Sequence, residues 1–495
     1  MVQSISSREH AATTSASNLI KQALGEGESK LLDLLATLLL EPMTPSSFSV
    51  FEERLAEMLR ELGRAIVEQV VNKVETNQAR RTILAHGLIY HRLAKRTRNG
   101  HVSTLFGDIT VQRFGYRYSD YRHSPEPCVF PLEMSLGLIH GVTPALGKRI
   151  GKQMATTTQR RTIQWLLEEH GVHIGAERLR KFVAELSLKV TEHRESLQIQ
   201  AVLSALQDAQ RSRGGRKPVL AVGRDGVTLC ENRHSFWEVA SVATITVLDR
   251  AGKRLLTVYL AHSPQLGQAA ISSQMTSLIQ GVLEQWEGPL PTLAYIADSG
   301  GKESSYFEDA LRRMTHPRTG GRLQWQRVVD YYHAAIRIWD AAEALFGKRD
   351  NRRWQWAQCM LRLLKQPNGP SRVLHSAAAH AAKIPLSKTR RENLDTALNY
   401  IRRRTQWMQY ADFSARHIPL GSGITEAACK TIFTQRFKQS GMRWSKAGAD
   451  VILALRTVLL SGIWDNVYDK VLAQLDNELP ETYGTTSEIN STIAA

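Results

Sequence analysis

The feature that most constrains this chain is the order of elements that follows residue 218. Val219-Leu-Ala-Val-Gly-Arg-Asp225 reads as a short apolar strand ending on an acid. Phe236 to Asp249 and Lys253 to His262 are two further strand-like runs, joined by a turn around Asp249-Arg-Ala-Gly252. A helix from Gln265 to Trp286 comes next, then a buried strand, Thr292 to Asp298, again ending on an acid. A short helix leads to a last strand, Gln326 to Asp330, which runs through Tyr331-Tyr-His333 into another helix. Three meandering strands followed by alternating units predict a mixed α/β sheet with helices on its faces.

That order is the one of the ribonuclease H-like fold, and it puts Asp225 and Asp298 at neighbouring strand ends. An aspartate after a strand by itself only begins a turn, so the case rests on the coincidence of two. A third acid, Glu426, lies in Gly421-Ser-Gly-Ile-Thr-Glu, a loop opening a helix with Ser422 as its expected N-cap. An acid in a first turn also simply suits the positive helix end. Lys430 follows one turn later, and Arg436 and Lys438 continue the helix. Three converging carboxylates are what two-metal phosphodiester cleavage needs, one ion activating the attacking oxygen and one stabilising the leaving oxygen. Magnesium prefers oxygen donors, one or two carboxylates per ion. Asp225, Asp298 and Glu426 are therefore the expected catalytic residues and the expected ligands of two Mg2+ or Mn2+ ions. Asp330 and His333 read as a supporting pair that orients a helix or its backbone. An N-cap and a core histidine describe them equally well.

Charge points the same way. The 495 residues carry 64 Lys and Arg against 47 Asp and Glu, a formal net charge of +17. Such a surplus suits a polyanionic partner, although a soluble enzyme can be basic without one. Between Leu386 and Lys446, twelve basic residues face only Glu392, Asp395, Asp412 and Glu426. Arg402, Arg403, Arg404, Lys430, Arg436, Lys438 and Arg443 are the candidate phosphate contacts there. From Ala334 to about Arg416 only helical spacing is found, with Trp354, Trp356, Leu394 and Trp407 as expected core residues of an all-helical insertion.

Upstream, the first hundred residues read as helices, with Phe51 to Thr76 amphipathic. Ser103 to Phe114 alternates around Gly107-Asp108 and predicts a two-residue hairpin. The aromatic and basic run Tyr116 to Arg122 suits either a backbone contact or a solvated ribbon. Thr162 to His170, a turn at Gly171-Val172-His173, and Ala176 to Leu188 resemble a helix-turn-helix, with Arg178 and Lys181 on the second helix. Many helical pairs of this kind only pack. Gln207 to Pro218 is polar and basic and reads as a linker. The expected regions are thus 1–100 helical, 101–205 hairpin and helix-turn-helix, 218–340 first part of the core, 341–415 helical insertion, 416–470 second part, and 471–495 a tail. The start lacks a signal-peptide plan, and no run reaches the roughly 18 apolar residues that span a membrane. Cys128, Cys230, Cys359 and Cys429 have neither zinc nor disulfide spacing. A cytoplasmic protein without a membrane partner is expected.

Gly421-Ser-Gly-Ile-Thr-Glu-Ala-Ala-Cys-Lys430, then Arg436-Phe-Lys438-Gln-Ser-Gly441-Met-Arg-Trp444, Gly448 and Leu455-Arg456, closely resembles the glutamate region of bacterial insertion-sequence transposases of the ISKra group. Those belong with the Mutator-like DDE transposases. The resemblance extends to Asp330-Tyr-Tyr-His333, Asp225-Gly226 and Trp237-Glu238, and weakly to residues 104–186. It implies a DNA transposase that binds the ends of its element, cleaves them hydrolytically, and joins the 3′-hydroxyl ends to target DNA. It also implies a nucleoid-associated homo-oligomer, at least a dimer, on double-stranded DNA. Relatives often carry paired cysteines after the hairpin. Tyr118 to Cys128 holds one, so no zinc is expected. Asp298-Ser-Gly-Gly-Lys also replaces the more usual Asp-Gly-Ala. Two rival readings are a nuclease or resolvase of the same fold that does not join strands, and a domesticated DNA-binding protein.

Overall fold

The computed structural model describes residues 43–75, 79–118, 128–230, 237–264, 268–298, 300–439 and 442–480, and before residue 43 only 17, 21, 25, 29–37, 39 and 40. The chain divides into two compact units, one of residues 1–190 with 468–495 and one of residues 191–467.

In the first unit, α1 (Pro45–Val74) begins in a capping box between Thr44 and Ser47. That arrangement satisfies two amides the helix itself cannot bond. The expectation of helices up to residue 100 fails after α1. β1 (Thr82–Ala85) and β2 (Leu88–Arg92) form a hairpin whose turn residues, His86 and Gly87, both have positive φ. Two strands of four and five residues carry too few alternations to stand out in the sequence. β3 (Thr97–Thr104) and β4 (Gly107–Arg113) form the expected second hairpin, but Thr104 pairs with Gly107, so Leu105 and Phe106 make the turn instead of Gly107 and Asp108. β5 (Tyr116–Tyr118) and β6 (Cys128–Val129) complete a sheet of order β1-β2-β5-β6. The rest of the run to Arg122 lies outside the described residues. After α2 (Pro131–Ser135) and α3 (Pro144–Thr156), α4 (Gln159–His170) ends on Gly171 at φ 61°. The helix that follows, α5 (Ala176–Arg211), has 36 residues, so the two-helix unit is not a compact one. It also takes up the first part of the expected linker, leaving only residues 212–218 as connection.

The second unit holds a mixed sheet. β7 (Val219–Cys230), β8 (Trp237–Leu248) and β9 (Arg254–His262) are successive antiparallel neighbours. β10 (Thr292–Ala297) joins β7 in parallel, and β11 (Trp325–Val329) joins β10 in parallel. The order across the sheet is β11-β10-β7-β8-β9. Alternation along β7 assigns the two faces. Leu220 and Val222 enter a core with the end of α5, α6 (Ala269–Gln285) and the Phe307–Leu311 turn that follows α7 (Gly301–Tyr306). Val219 and Ala221 enter another with α8 (Tyr331–Phe346), α9 (Asn351–Leu364), α10 (Gly369–Ala381), α11 (Lys388–Arg404) and α12 (Tyr410–Ala415). The helical segment shares an apolar core with one face of the sheet. Trp356 is buried in it, while Trp354 is 59% exposed and not a core residue. The chain closes with α13 (Gly423–Cys429), a π turn, α14 (Gln435–Phe437), α15 (Lys446–Leu460) and α16 (Trp464–Asn477). The expected tail thus begins as helix. Among the described residues, no single helix is long and apolar enough to cross a membrane.

Candidate active site

Strand register brings three aspartates into one row. The parallel ladder of β7 and β10 ends at Gly223 opposite Ile296, two residues before Asp225 and Asp298 respectively. That of β10 and β11 ends at Ala297 opposite Val329, and the Asp330 amide donates to the Ala297 carbonyl (3.2 Å). Asp225, Asp298 and Asp330 thus occupy matching positions on three adjacent strands. One detail corrects the sequence reading. β7 does not end at Asp225; it continues to Cys230, with Asp225 opposite Val242 of β8. Only its pairing with β10 stops, because β10 gives way to the loop after Ala297.

Helix α13 is docked on this row by a close approach. A Cβ on Gly223 would collide with Thr425 Oγ1, so a larger residue has no room there. Thr425 Oγ1 in turn lies 2.8 Å from Thr244 Oγ1 of β8, both buried. Glu426, the next residue, is exposed in the first turn of the helix. Ser422 holds the N-cap position but makes no side-chain cap, contrary to its expected part. Its hydroxyl instead lies 2.8 Å from Glu426 Oε1 and 2.6 Å from Asp330 Oδ2, and its amide also donates to Asp330 Oδ2. Asp330 is fully buried and caps α8, where its Oδ1 accepts from the Tyr332 and His333 amides at 2.6 and 3.0 Å. The N-cap that the sequence left open for Asp330 is therefore present, whereas His333 contributes its backbone amide and is half-buried instead of a core residue, and Ser422 adds a connection to Glu426.

Electrostatics mark the row as a place where like charges meet. Burial, and then the charges of Asp298 and Glu426, raise the Asp225 carboxyl above its ordinary range, against hydrogen bonds from the Gly226 amide (2.7 Å) and Cys429 Sγ (3.3 Å). Burial beside Asp225 keeps the Cys429 thiol protonated, as a donor should be. A fifth acid was missed in the sequence. Burial, followed by Asp298 and Asp225, raises the Glu303 carboxyl, and a Cβ on Gly300 would collide with Glu303 Oε2 and lie 3.4 Å from Asp298 Oδ1. The only sequence signal was Gly300-Gly301 ahead of it, since glycines permit such crowding.

The candidate DNA contacts divide. Lys430, Lys438, Arg443, Arg402 and Arg403 are exposed. Arg402 hydrogen-bonds Asn399, and Arg404 stacks on the Tyr400 ring at 4.1 Å. Arg436 is corrected: it is 2% exposed, its guanidinium 5.1 Å from the Trp444 ring centre, and burial lowers its pKa to about 10. A π turn at Lys430–Thr434 precedes it and shifts the helical phase from which its face would be read. Arg178 is also spent internally, on the carbonyls of His140 (2.9 Å), Gly141 (2.9 Å) and His101 (2.5 Å). Lys181 is exposed and paired with Glu177 at 2.9 Å.

The donor set of Asp225, Asp298 and Glu426 is all carboxylate oxygen, the kind a hard divalent cation takes. Among the described residues, however, no three His, Cys, Asp or Glu side chains are grouped so that they could hold one ion as they stand. The donors fit such an ion in kind, and their grouping is open, with Glu426 turned to Ser422. The chain matches no protein-family model and no curated protein.

Proposed function

We propose that this chain is a DDE transposase with a ribonuclease H-like core, cutting element ends and joining them to target DNA. The observation that carries the reading is the shared register of Asp225 and Asp298, with Glu426 docked over it through Gly223 and Thr425. The sheet order, two parallel strands added to one edge of a three-stranded meander, supports the fold assignment. The resemblance around Glu426 supports joining as well as cutting.

In this reading the three carboxylates hold two Mg2+ or Mn2+ ions, which would supply the activated water and stabilise the leaving oxygen. The Gly226 amide and the Cys429 thiol orient Asp225 and favour its ionised form against the effect of burial. Asp330, through Ser422, fixes the start of α13 and with it the position of Glu426. Exposed Lys430, Lys438 and Arg443 offer charge to the phosphates. Hydrolysis leaves a 3′-hydroxyl and a 5′-phosphate. The 3′-oxygen then attacks a target phosphodiester and displaces a 3′-oxygen there. Two ends must be handled together for such joining, so a dimer or larger oligomer on DNA is part of the proposal, as is a cytoplasmic, nucleoid-bound location.

The test uses DNA flanking the gene. Asp225→Ala and Glu426→Ala remove an anion but no cation, so they should abolish cleavage and joining while terminal-DNA binding survives. Wild-type cleavage by Glu426→Ala sinks the reading. Cleavage by the unaltered protein without any joined product selects the nuclease reading instead.

A further inference from the structure

The sheet face opposite the acids carries a second feature, built around Arg224. Neighbouring residues on a strand point to opposite faces, so Arg224 leaves β7 on the side of α6 and α7 while Asp225 faces α13. There it borders a cavity of about 760 Å³ that Ser272 and Thr276 of α6 and Ser305 and Tyr306 of α7 also line. Arg224 is only 3% exposed. Its terminal nitrogens donate to Ser272 Oγ (3.0 Å) and to Gln268 Oε1, and its guanidinium stands 5.4 Å from the Tyr306 ring centre. Among the described residues these are its hydrogen bonds, and none offers it a carboxylate within 4.0 Å. Glu303 senses its charge only from farther off.

A guanidinium taken out of water is costly unless it is paired and its donors are satisfied. Arg224 has five N–H groups, and two neutral side-chain oxygens accept from it. Arg224 keeps further donors at the cavity wall. Of the hydroxyls there, Ser272 donates to the Gln268 carbonyl (3.1 Å), Thr276 to the Ser272 carbonyl (2.9 Å), Tyr306 to Thr276 (3.1 Å) and Ser277 to Glu195, so Ser273 and Ser305 are the ones with a hydrogen to offer. Asp309 at the edge is the one acid lining it, and Arg313 lies 3.9 Å from that carboxylate. A buried cation with no carboxylate in hydrogen-bond reach, at the wall of an open space, calls for an anion with several acceptor oxygens.

We propose that this cavity is a phosphate seat, in which Arg224, with the Ser273 and Ser305 hydroxyls, receives a phosphate group. The phosphate comes either from a DNA backbone or from a free nucleotide. Gly301, the first residue of α7, lines the cavity and lies three residues after Asp298, so occupancy would bear on that helix start. The site does not depend on the cleavage reading, and its test does not measure cleavage.

The full chain is titrated with inorganic phosphate and with thymidine monophosphate by calorimetry, at constant ionic strength with chloride as control. Gln280→Glu and Ser273→Asp place a negative charge on the exposed side of the cavity without touching Arg224 or the core. Saturable binding of either probe is expected, weakened about tenfold or more in both variants, because each sets a carboxylate against the bound anion. If the backbone is the source, phosphate also competes with duplex DNA, and a single methylphosphonate at the contacted position weakens DNA binding. If a free nucleotide is the source, the monophosphate binds without competing. Absence of saturable binding by both probes overturns the proposal. So does binding that is unchanged in folded Gln280→Glu and Ser273→Asp.

Discussion

At Asp330 four donors converge on one buried carboxylate: the Tyr332 and His333 amides, and the amide and hydroxyl of Ser422. Asp330→Asn turns one acceptor oxygen into a donor and so sets it against two of these groups. Thermal or urea unfolding should show a loss of about 2–3 kcal/mol. Cleavage should fall while some persists at high manganese, because the residue positions and does not ligate. Complete loss in a folded variant, with Asp298→Asn still active, would reverse those two roles. Asp225 should behave in the opposite sense. Its folded carboxyl binds protons more tightly than the ordinary value of 3.8. Stability is therefore lost as pH rises from 3.8 through the raised value, and the ionised form is a net cost at neutral pH. Asp225→Asn should melt above the unaltered protein at pH 7 without divalent ions, and the two should converge below pH 3.8. Magnesium should raise the melting temperature of the unaltered protein and leave that of Asp225→Asn nearly unchanged. A variant that melts lower at pH 7 would show that Asp225 is stabilising as it stands.

Among the elements, α13 is the one whose placement decides whether a third acid reaches the row. It is held by Gly223 beneath Thr425, by the Thr425 to Thr244 hydroxyl contact and by Ser422 on Asp330. Gly223→Ala forces the helix outward or the strand back, an overpacking cost of about 1–3 kcal/mol. Cleavage should drop steeply while DNA binding stays within about twofold, since no exposed cation moves far. Adding Thr425→Ala removes the colliding oxygen and should restore part of the activity. A Gly223→Ala protein with full activity would mean that α13 does not need this seat. The helices from α8 to α12 carry a related lesson. Their apolar positions read as an all-helical insertion, and the core they complete includes Val219, Ala221 and Ile296 of the sheet. Helical spacing identifies a buried face, but not the neighbour that buries it.

For the whole molecule the dominant quantity is charge, +17 over 495 residues. Exposed cations on backbone phosphates release counterions, so the log of DNA affinity should fall linearly with log salt. Arg402 and Arg403 are exposed, whereas Arg404 lies on Tyr400. Arg402→Gln with Arg403→Gln should reduce the slope by roughly 0.9 for each lost contact and leave sequence preference alone. An unchanged slope would remove this helix from the DNA surface. Arg178 and Arg436 are poor choices for such an experiment. Each is committed to groups inside the protein, so its loss should weaken binding to every DNA alike through stability.

The sequence by itself determined the alternation of strands and helices after residue 218, the positions of Asp225, Asp298 and Glu426, and the basic surplus beside Glu426. These are local quantities: side-chain period, turn residues and composition act over a few positions, and the chain states them directly. The tertiary structure alone decided the register that aligns Asp225, Asp298 and Asp330, because parallel partners are chosen by packing across more than thirty intervening residues. It also decided that β7 runs on past Asp225, that Arg436 and Arg178 turn inward, that Cys429 stands beside Asp225 and that Glu303 lies near Asp298. Each of these depends on which distant group fills the space next to a residue, and no local pattern encodes that neighbour.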